Sequence, residues 1–279
     1  MADALMFVQF PHPGAEHQPA GTIMEWNRRE HARKFLKARG RYIEDGTVRS
    51  GMLEFWGEWE PQSRVVETFP RGLDGGPSFL HEPFWQRPRH RAAMKNTDPL
   101  VFGSQFLYSN CRQARNRKLR ELAPGSIVLF GSKRRSEFVL DTVFVVGEGA
   151  AYSRGSSETI PCEDWVQAVV FEPMRLGDRP ASESFRLYRG RTANELPDGP
   201  FSFVPCLPCH GGGIGFARPV IRLDRRWIEP NLAMGAKATP ATQLELRALW
   251  DEVVHQVVDV AELCLGVQLK APPAAASTP

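Results

Sequence analysis

Residues 122–147 read LAPGSIVLFGSKRRSEFVLDTVFVVG. Pro124-Gly125 breaks the chain, and two apolar runs follow, IVLFGS at 127–132 and FVLDTVFVV at 138–146. Runs of this length bounded by turn residues read as buried strands, and the short basic turn at 133–135 joins them as a hairpin. A hairpin this apolar needs cover on its faces, so the rest of the chain must supply further strands and helices.

Upstream, LMFVQF at 5–10 reads as a strand closed by Pro11 and Pro13. The stretch 28–39 reads as a helix capped by Asn27, with Glu30 in its first turn and Gly40 as its stop; Thr22 and Glu25 offer an earlier start. MLEFWGEWE at 52–60 reads as a strand stopped by Pro61. Residues 61–100 are rich in Pro, Gly and Arg without a sustained period, the pattern of a long ordered loop or insertion. A strand over 100–109 and a basic helix over 111–122 lead into the hairpin.

Downstream, 165–171, 184–189 and 217–223 read as strands, and 190–215 is Gly/Pro-rich. The last helix starts at a capping box, Thr242 with Glu245, with Thr239 and Pro240 as a rival start. Apolar residues recur at helical spacing from Leu246 to Cys264, and Gly266 ends the pattern. The sum is an α+β fold: one domain over 1–270 with an insertion at 61–100, long Pro/Gly-rich loops, a C-terminal amphipathic helix and a disordered tail at 271–279.

Composition bounds the function. The chain has 279 residues, a net charge of +3, 24 glycines and 23 prolines, which excludes a helical bundle, a coiled coil and collagen. Nothing approaches the ~18 unbroken apolar residues of a membrane helix. The N-terminus lacks a basic n-region, and five cysteines is an odd, sparse count. Those features predict a cytoplasmic protein with reduced thiols and no membrane partner.

The charge is uneven. Residues 28–41 hold seven Lys/Arg against Glu30, and 86–120 hold nine against Asp98. Runs of one sign attract polyanions and supply phosphate contacts. Arg28, Arg29, Arg33, Lys34, Arg112, Arg115 and Lys118 are the expected nucleic-acid backbone contacts. Solvated faces balanced by distant acids are the alternative.

In LEFWGEWEP side chains alternate, so Leu53, Phe55, Gly57 and Trp59 share a core face. Glu54, Trp56, Glu58 and Glu60 share the other. An extruded base needs an aromatic platform, and cleavage of a glycosidic bond needs a carboxylate that stabilises a sugar cation and activates water. Glu58, beside Gly57, is the first catalytic candidate; a solvated edge strand is the alternative. Asp141 interrupts an apolar strand and is the second, unless it is a satisfied structural carboxylate. Gln105, Tyr108 and Asn110 offer base-edge and stacking contacts, with a helix cap near Asn110 as the plain reading. His12 lies in FPHPGAEH with Glu16 and His17, a loop after a strand that can rim a site. Cys206-Leu-Pro-Cys209-His210 has haem-attachment spacing, but no export signal accompanies it. A zinc site there would need a second ligand pair, and none is evident nearby. No metal or cofactor is expected, and Walker, G-x-S-x-G and H-E-x-x-H motifs are absent.

The layout LAPGSIVLFGS…FVLDTVFVVGE resembles the PUA-like superfamily, including ASCH and EVE domains, over roughly residues 100–147. FPHPGAEH, FWGEWEP, YSNCRQ and LDTVFVV together resemble nucleotide-modification-associated proteins of phage and bacterial DNA modification. The resemblance implies a partly barrel-like mixed sheet with flanking helices, and a pocket for a flipped modified base lined by Trp56, Glu58, Tyr108, Asn110 and Asp141. The 61–100 and 148–270 regions have no counterpart in simple PUA-like modules. The leading expectation is a DNA-binding enzyme that recognises a modified base, a monofunctional DNA glycosylase, with anti-phage defence as a role that suits the resemblance; the alternatives are a non-catalytic reader of such bases or an amidohydrolase on free modified nucleosides, as among ASCH-like proteins.

Overall fold

The computed structural model describes residues 3–70, 74–87, 94–176, 179–195, 199–209 and 213–275. It is an α+β chain made mostly of strands in two mixed sheets.

The first sheet contains β1 (Met6–His12), β7 (Leu107–Tyr108), β8 (Ile127–Arg134), β9 (Glu137–Ser153), β10 (Ser184–Gly190) and β12 (Lys237–Pro240), in the order β12-β1-β8-β9-β10-β7. The second contains β2 (Ile23–Met24), β3 (Lys34–Glu44), β4 (Thr47–Gly57), β5 (Ser63–Thr68), β6 (Phe79–Pro83), β11 (Val204–Pro208) and β13 (Cys264–Leu269), in the order β13-β11-β4-β3-β6-β5-β2. β13 also pairs with β3, so one end curls back on itself, yet the described residues form no closed barrel.

The expected β8–β9 hairpin is present, and its detail places a site residue. Phe130 pairs with Thr142 and Gly131 with Leu140, which leaves Asp141 in a bulge. Before the bulge Phe138 and Leu140 pack in one apolar cluster; after it Val143 and Val145 do, so the alternation slips by one. Asp141 therefore does not share a face with Val143. A Cβ on Gly131 would stand 2.1 Å from the Val139 carbonyl oxygen, so the bulge requires glycine there.

The expected helix over 28–39 is instead irregular chain followed by β3. Asp45 and Gly46 have φ of 50° and 70°, a tight turn that joins β3 to β4 over eleven paired positions. Asp-Gly is the strongest short hairpin signal, and here it outweighs the apparent helix cap. Leu36, Ala38 and Tyr42 alternate into one cluster while Phe35 enters the other. The expected basic helix over 111–122 is a set of turns with a short 3-10 helix at Arg117–Arg120, and Arg112 has φ 61°.

Other expectations shift similarly. The apolar run at 165–171 lies in a helical segment over 164–175, where Trp165 with Val169 and Val166 with Val170 pack at a spacing of four. Of 217–223 only Val220 makes a bridge, to Val139. The 61–100 stretch is no plain loop: it supplies β5 and β6 to the second sheet. The capping box is present, with Thr242 and Glu245 satisfying each other's backbone N–H groups. That helix runs Gln243–His255, continues as a π turn at Gln256–Val260, and gives way to β13 at Cys264. Leu246, Leu249, Trp250 and Val253 form its buried stripe. Residues 271–275 are placed against the fold, with the Ala275 N–H donating to the Trp85 carbonyl at 2.8 Å. Among the described residues no helix is long and apolar enough to cross a membrane.

Candidate functional site

The first sheet delivers His12 at the end of β1. The loop after it folds onto the segment before β3: the His17 N–H donates to the Arg33 carbonyl at 2.9 Å, and the Arg33 N–H to the Ala15 carbonyl at 2.8 Å. Glu16 fixes the same loop by accepting the Ser78 and Phe79 N–H groups at 2.8 and 3.0 Å. This stitching sets His12 and His17 beside His31 and Arg33. Just past β4, Trp59 packs into the core on Phe102, with ring centroids 5.2 Å apart. Its neighbours Glu58 and Glu60 are consequently buried too, at 4% and 0% exposure.

A buried carboxylate needs partners or it neutralises. Glu58 has four. Its Oε2 accepts from the Arg33 guanidinium at 2.8 Å and faces His12 Nδ1 at 3.3 Å. Its Oε1 accepts the Asp98 N–H at 3.1 Å and faces His31 Nδ1 at 3.3 Å. Burial pushes the Glu58 carboxyl up, but His31, His12 and Arg33 outweigh it and hold it well below the carboxylate range. Glu60 is the reverse case: burial, together with the Glu58 charge, raises it despite His31 and Asn27. His31 Nδ1 lies 2.8 Å from Glu60 Oε1, and Asn27 Nδ2 donates to Glu60 Oε2 at 2.5 Å. Burial opposes charge on His31, yet Glu58 and Glu60 hold it ionised, with its pKa raised to about 10.

Glu58, His12 and a third residue form a line. His12 Nε2 is 3.3 Å from the Cys111 sulfur, while its Nδ1 faces Glu58. His12 Nδ1 is buried and makes no hydrogen bond in this arrangement, so it meets Glu58 as a 3.3 Å electrostatic approach; catalytic contacts often tighten into hydrogen bonds only when substrate is bound. Burial pushes the Cys111 thiol up, helped by Asp98, and pushes His12 down. The resting pair is thus neutral thiol and neutral imidazole. The turn carrying Cys111 is held from below by Asp98, whose carboxylate accepts the N–H groups of Ser109, Asn110 and Cys111 at 2.7, 2.8 and 2.5 Å. Burial nonetheless raises Asp98 to about 6. The Tyr108 hydroxyl donates to the Cys111 carbonyl at 2.8 Å.

This line opens on a pocket of about 410 Å³ walled by His31, Glu58, Asp98, Asn110 and Cys111. Lys95, Arg112, Arg115, Arg154 and Arg179 also line it. Arg154 and Arg179 pair with Glu183. Asn96 lines the pocket as well, and its buried Nδ2 has no hydrogen-bond partner. The wall is strongly cationic and contains a spare donor, so it suits an anionic, hydrogen-bonding ligand.

The sequence-derived candidates divide. Glu58, Asn110, Arg112 and Arg115 meet at the pocket, and His12 stands behind Cys111. Asp141 does not line it. Its Oδ2 accepts from Arg33 Nε at 2.8 Å and its Oδ1 faces Arg218 at 3.5 Å. Trp56 is 3% exposed, donates to the Phe216 carbonyl at 2.7 Å, and has the Arg218 guanidinium over its ring at 5.0 Å. The ring is part of the core rather than an open stacking platform, because the end of β4 that carries it, residues 53–57, is buried on both faces. Tyr108 is buried against Tyr188, with centroids 5.8 Å apart. Gln105 pairs with Glu195 at 3.3 Å, away from the pocket wall. Arg28, Arg29 and Lys118 are exposed, but Arg33 and Lys34 are interior, a correction that follows from strand replacing helix. The Lys34 ammonium donates to the Pro61 carbonyl at 3.0 Å, and burial lowers its pKa to about 7.

Sequence reasoning missed Cys111, Asp98 and His31 at the pocket, and Arg218 beside Asp141. Cys206 is buried in β11 opposite Cys264, and the Cys209 N–H donates to the Met52 carbonyl at 2.8 Å. His210 lies outside the described residues. Among the described residues one group has metal-ligand chemistry: His31 Nδ1 and one oxygen each of Glu58 and Glu60 all lie within 4.8 Å of one another.

No family model matches the chain, and no similar curated protein or solved structure was found.

Proposed function

We propose that this protein is a cysteine-dependent amidohydrolase acting on a phosphate-bearing substrate, with a modified nucleotide as the substrate class. The observation that carries the reading is the line Cys111–His12–Glu58, with contacts of 3.3 Å at both joints, opening on a cationic pocket. Nucleophile, base and orienting carboxylate in that order are the parts of a triad. His12 Nε2 takes the thiol proton as the sulfur attacks a carbonyl carbon. The C–N bond then breaks, the amine leaves with that proton, and a thioester remains. Water next gives a proton to His12 while its oxygen attacks the thioester carbon; the C–S bond breaks and the thiol regains the proton. His31, with His12 and Arg33, holds Glu58 ionised, so Glu58 can stabilise the imidazolium in both steps. Asn96 Nδ2 is a donor for substrate.

Pocket size and charge support the substrate class. About 410 Å³ lies in the range of small-ligand sites and suits one nucleotide, free or extruded from a strand, rather than a duplex. Lys95, Arg112 and Arg115 suit its phosphate. DNA is the proposed source of that nucleotide, in keeping with the resemblance to modification-associated proteins. A glycosylase reading draws support from Glu58 and Asp98 in the pocket wall; Asp141, its expected second carboxylate, does not line the pocket.

The test is to incubate the protein with acylated or otherwise modified nucleotides and with hypermodified phage DNA, and to follow products by mass spectrometry. Loss of an amine-linked group from the base, reduced ~10³-fold or more by Cys111→Ser, is the expected result. Release of whole base that survives Cys111→Ser and fails in Glu58→Gln would replace the proposal with the glycosylase. Binding without product by the wild-type protein would leave a reader.

A further inference from the structure

The triad uses one oxygen of Glu58. The other faces a second cluster that the proposed hydrolysis does not employ. His31 Nδ1 stands 3.3 Å from Glu58 Oε1 and 2.8 Å from Glu60 Oε1. His17 Nε2 lies 3.9 Å from Glu60 Oε2. That nitrogen is buried and has no hydrogen-bond partner.

From this geometry we infer a binding site for a divalent first-row transition ion of the zinc type, with His31 Nδ1, Glu58 Oε1 and Glu60 Oε1 as protein donors and a fourth position open to water. Four observations carry it. The donor set is one imidazole and two carboxylates, the nitrogen and oxygen mixture such ions take. The separations of 2.8 and 3.3 Å around His31 approach the roughly 3.3 Å edge of a tetrahedron with ~2.05 Å metal–ligand bonds. The carboxylates are already positioned by outer partners: Asn27 Nδ2 on Glu60 and the Asp98 N–H on Glu58. An entry path exists, because His31 is 30% exposed and it lines the same pocket as Glu58. In the described arrangement the two carboxylates converge on His31, and an ion would take the place of that imidazole's shared proton.

The neighbouring cations fit this assignment. Arg33 is bound to Glu58 Oε2 and Asp141, not to Oε1. Lys34 Nζ is spent on the Pro61 carbonyl. Neither guanidinium nor ammonium therefore occupies the space between His31 Nδ1 and the two carboxylates. A bound ion would fix Glu58 from the side opposite His12.

The experiment uses the full chain, stripped with chelator and titrated with Co²⁺ while its visible spectrum is recorded, then with Zn²⁺ by calorimetry and Mg²⁺ as the hard-ion control. Expected are one equivalent of Co²⁺ with d–d bands and no thiolate charge-transfer band, Zn²⁺ competition, and much weaker Mg²⁺ binding. His31→Ala and Glu60→Gln should each weaken Zn²⁺ at least ~10-fold, whereas Cys111→Ser should leave it unchanged. A thiolate band, no saturable site in the wild-type protein, or unaltered binding in folded His31→Ala would each overturn the assignment. The wild-type spectrum decides the matter even if the variants fail to fold. Because it needs no turnover, failure here leaves the cysteine hydrolase standing, and the reverse.

Discussion

Two carboxylates share one guanidinium, and their surroundings differ. Arg33 holds Glu58 through one nitrogen and Asp141 through another, both at 2.8 Å. On the Glu58 side the partners are His12, His31 and a backbone N–H, and the carboxylate borders the pocket. On the Asp141 side lies Arg218, which also donates to the Ser132 hydroxyl at 3.0 Å and the Gly14 carbonyl at 2.7 Å. Trp56 covers that guanidinium. One half is a sealed buried ion network that fixes the loop after β1 against the bulge in β9. The other half uses the same anchoring to aim an imidazole at a thiol. Equal burial and equal charge thus serve structure on one side and, under the proposed function, chemistry on the other; access to the pocket is what differs.

The largest expected effect comes from removing what the halves share. Arg33→Met leaves two buried carboxylates uncompensated and should cost about 3–5 kcal/mol, read as a large fall in the urea midpoint with m unchanged. A stability loss within ~1 kcal/mol would mean that the network contributes little to the fold. Next, a Cβ at Gly131 cannot coexist with the Val139 carbonyl at 2.1 Å. Gly131→Ala should therefore shift the bulge and cost about 1–3 kcal/mol. A neutral result would show that the strand can realign without it. The sharpest contrast is between Asp141→Asn and Glu58→Gln. Both should destabilise by about 1–3 kcal/mol, but only Glu58→Gln should slow acyl transfer to Cys111, by ~10-fold or more. Equal slowing by both would erase the distinction between the two sides. The smallest effect belongs to the rim: Arg112→Ala and Arg115→Ala should change stability by less than ~0.5 kcal/mol while raising KM for a phosphate-bearing substrate several-fold, and adding salt should blunt the difference.

The sealed half was the more legible of the two in sequence. Apolar runs with a lone Asp141 announce a buried hairpin, and the capping box announces the last helix. Glu58 was legible as a carboxylate flanked by tryptophans. What hid the rest was composition and distance. Seven cations in 28–41 suggested a solvated helix, although Asp45-Gly46 already marked a hairpin and Leu36, Ala38 and Tyr42 alternate into the core. Trp56 looked like a free platform because a one-sided strand was assumed; the 53–57 end of β4 is covered on both sides. Cys111 gave no signal in the sequence because its partner is 99 residues away and meets it through the parallel pairing of β1 with β8 and the turn held by Asp98. The π-interrupted helix over 164–175 was unreadable in principle, since WVQAVVF suits a buried strand equally well.

The claim on which the account turns is that His12 and Glu58 serve Cys111 as base and orienting carboxylate. The most direct measurement is the reaction with an activated ester, p-nitrophenyl acetate, followed by the release of nitrophenol and by peptide mass spectrometry. The account expects a burst of one equivalent with the acetyl group on Cys111, a burst rate reduced ~10²-fold or more in His12→Ala, and a burst within about twofold of wild type in Asp141→Asn. Acetyl groups spread over other cysteines, or a Cys111 burst indifferent to His12, would contradict it.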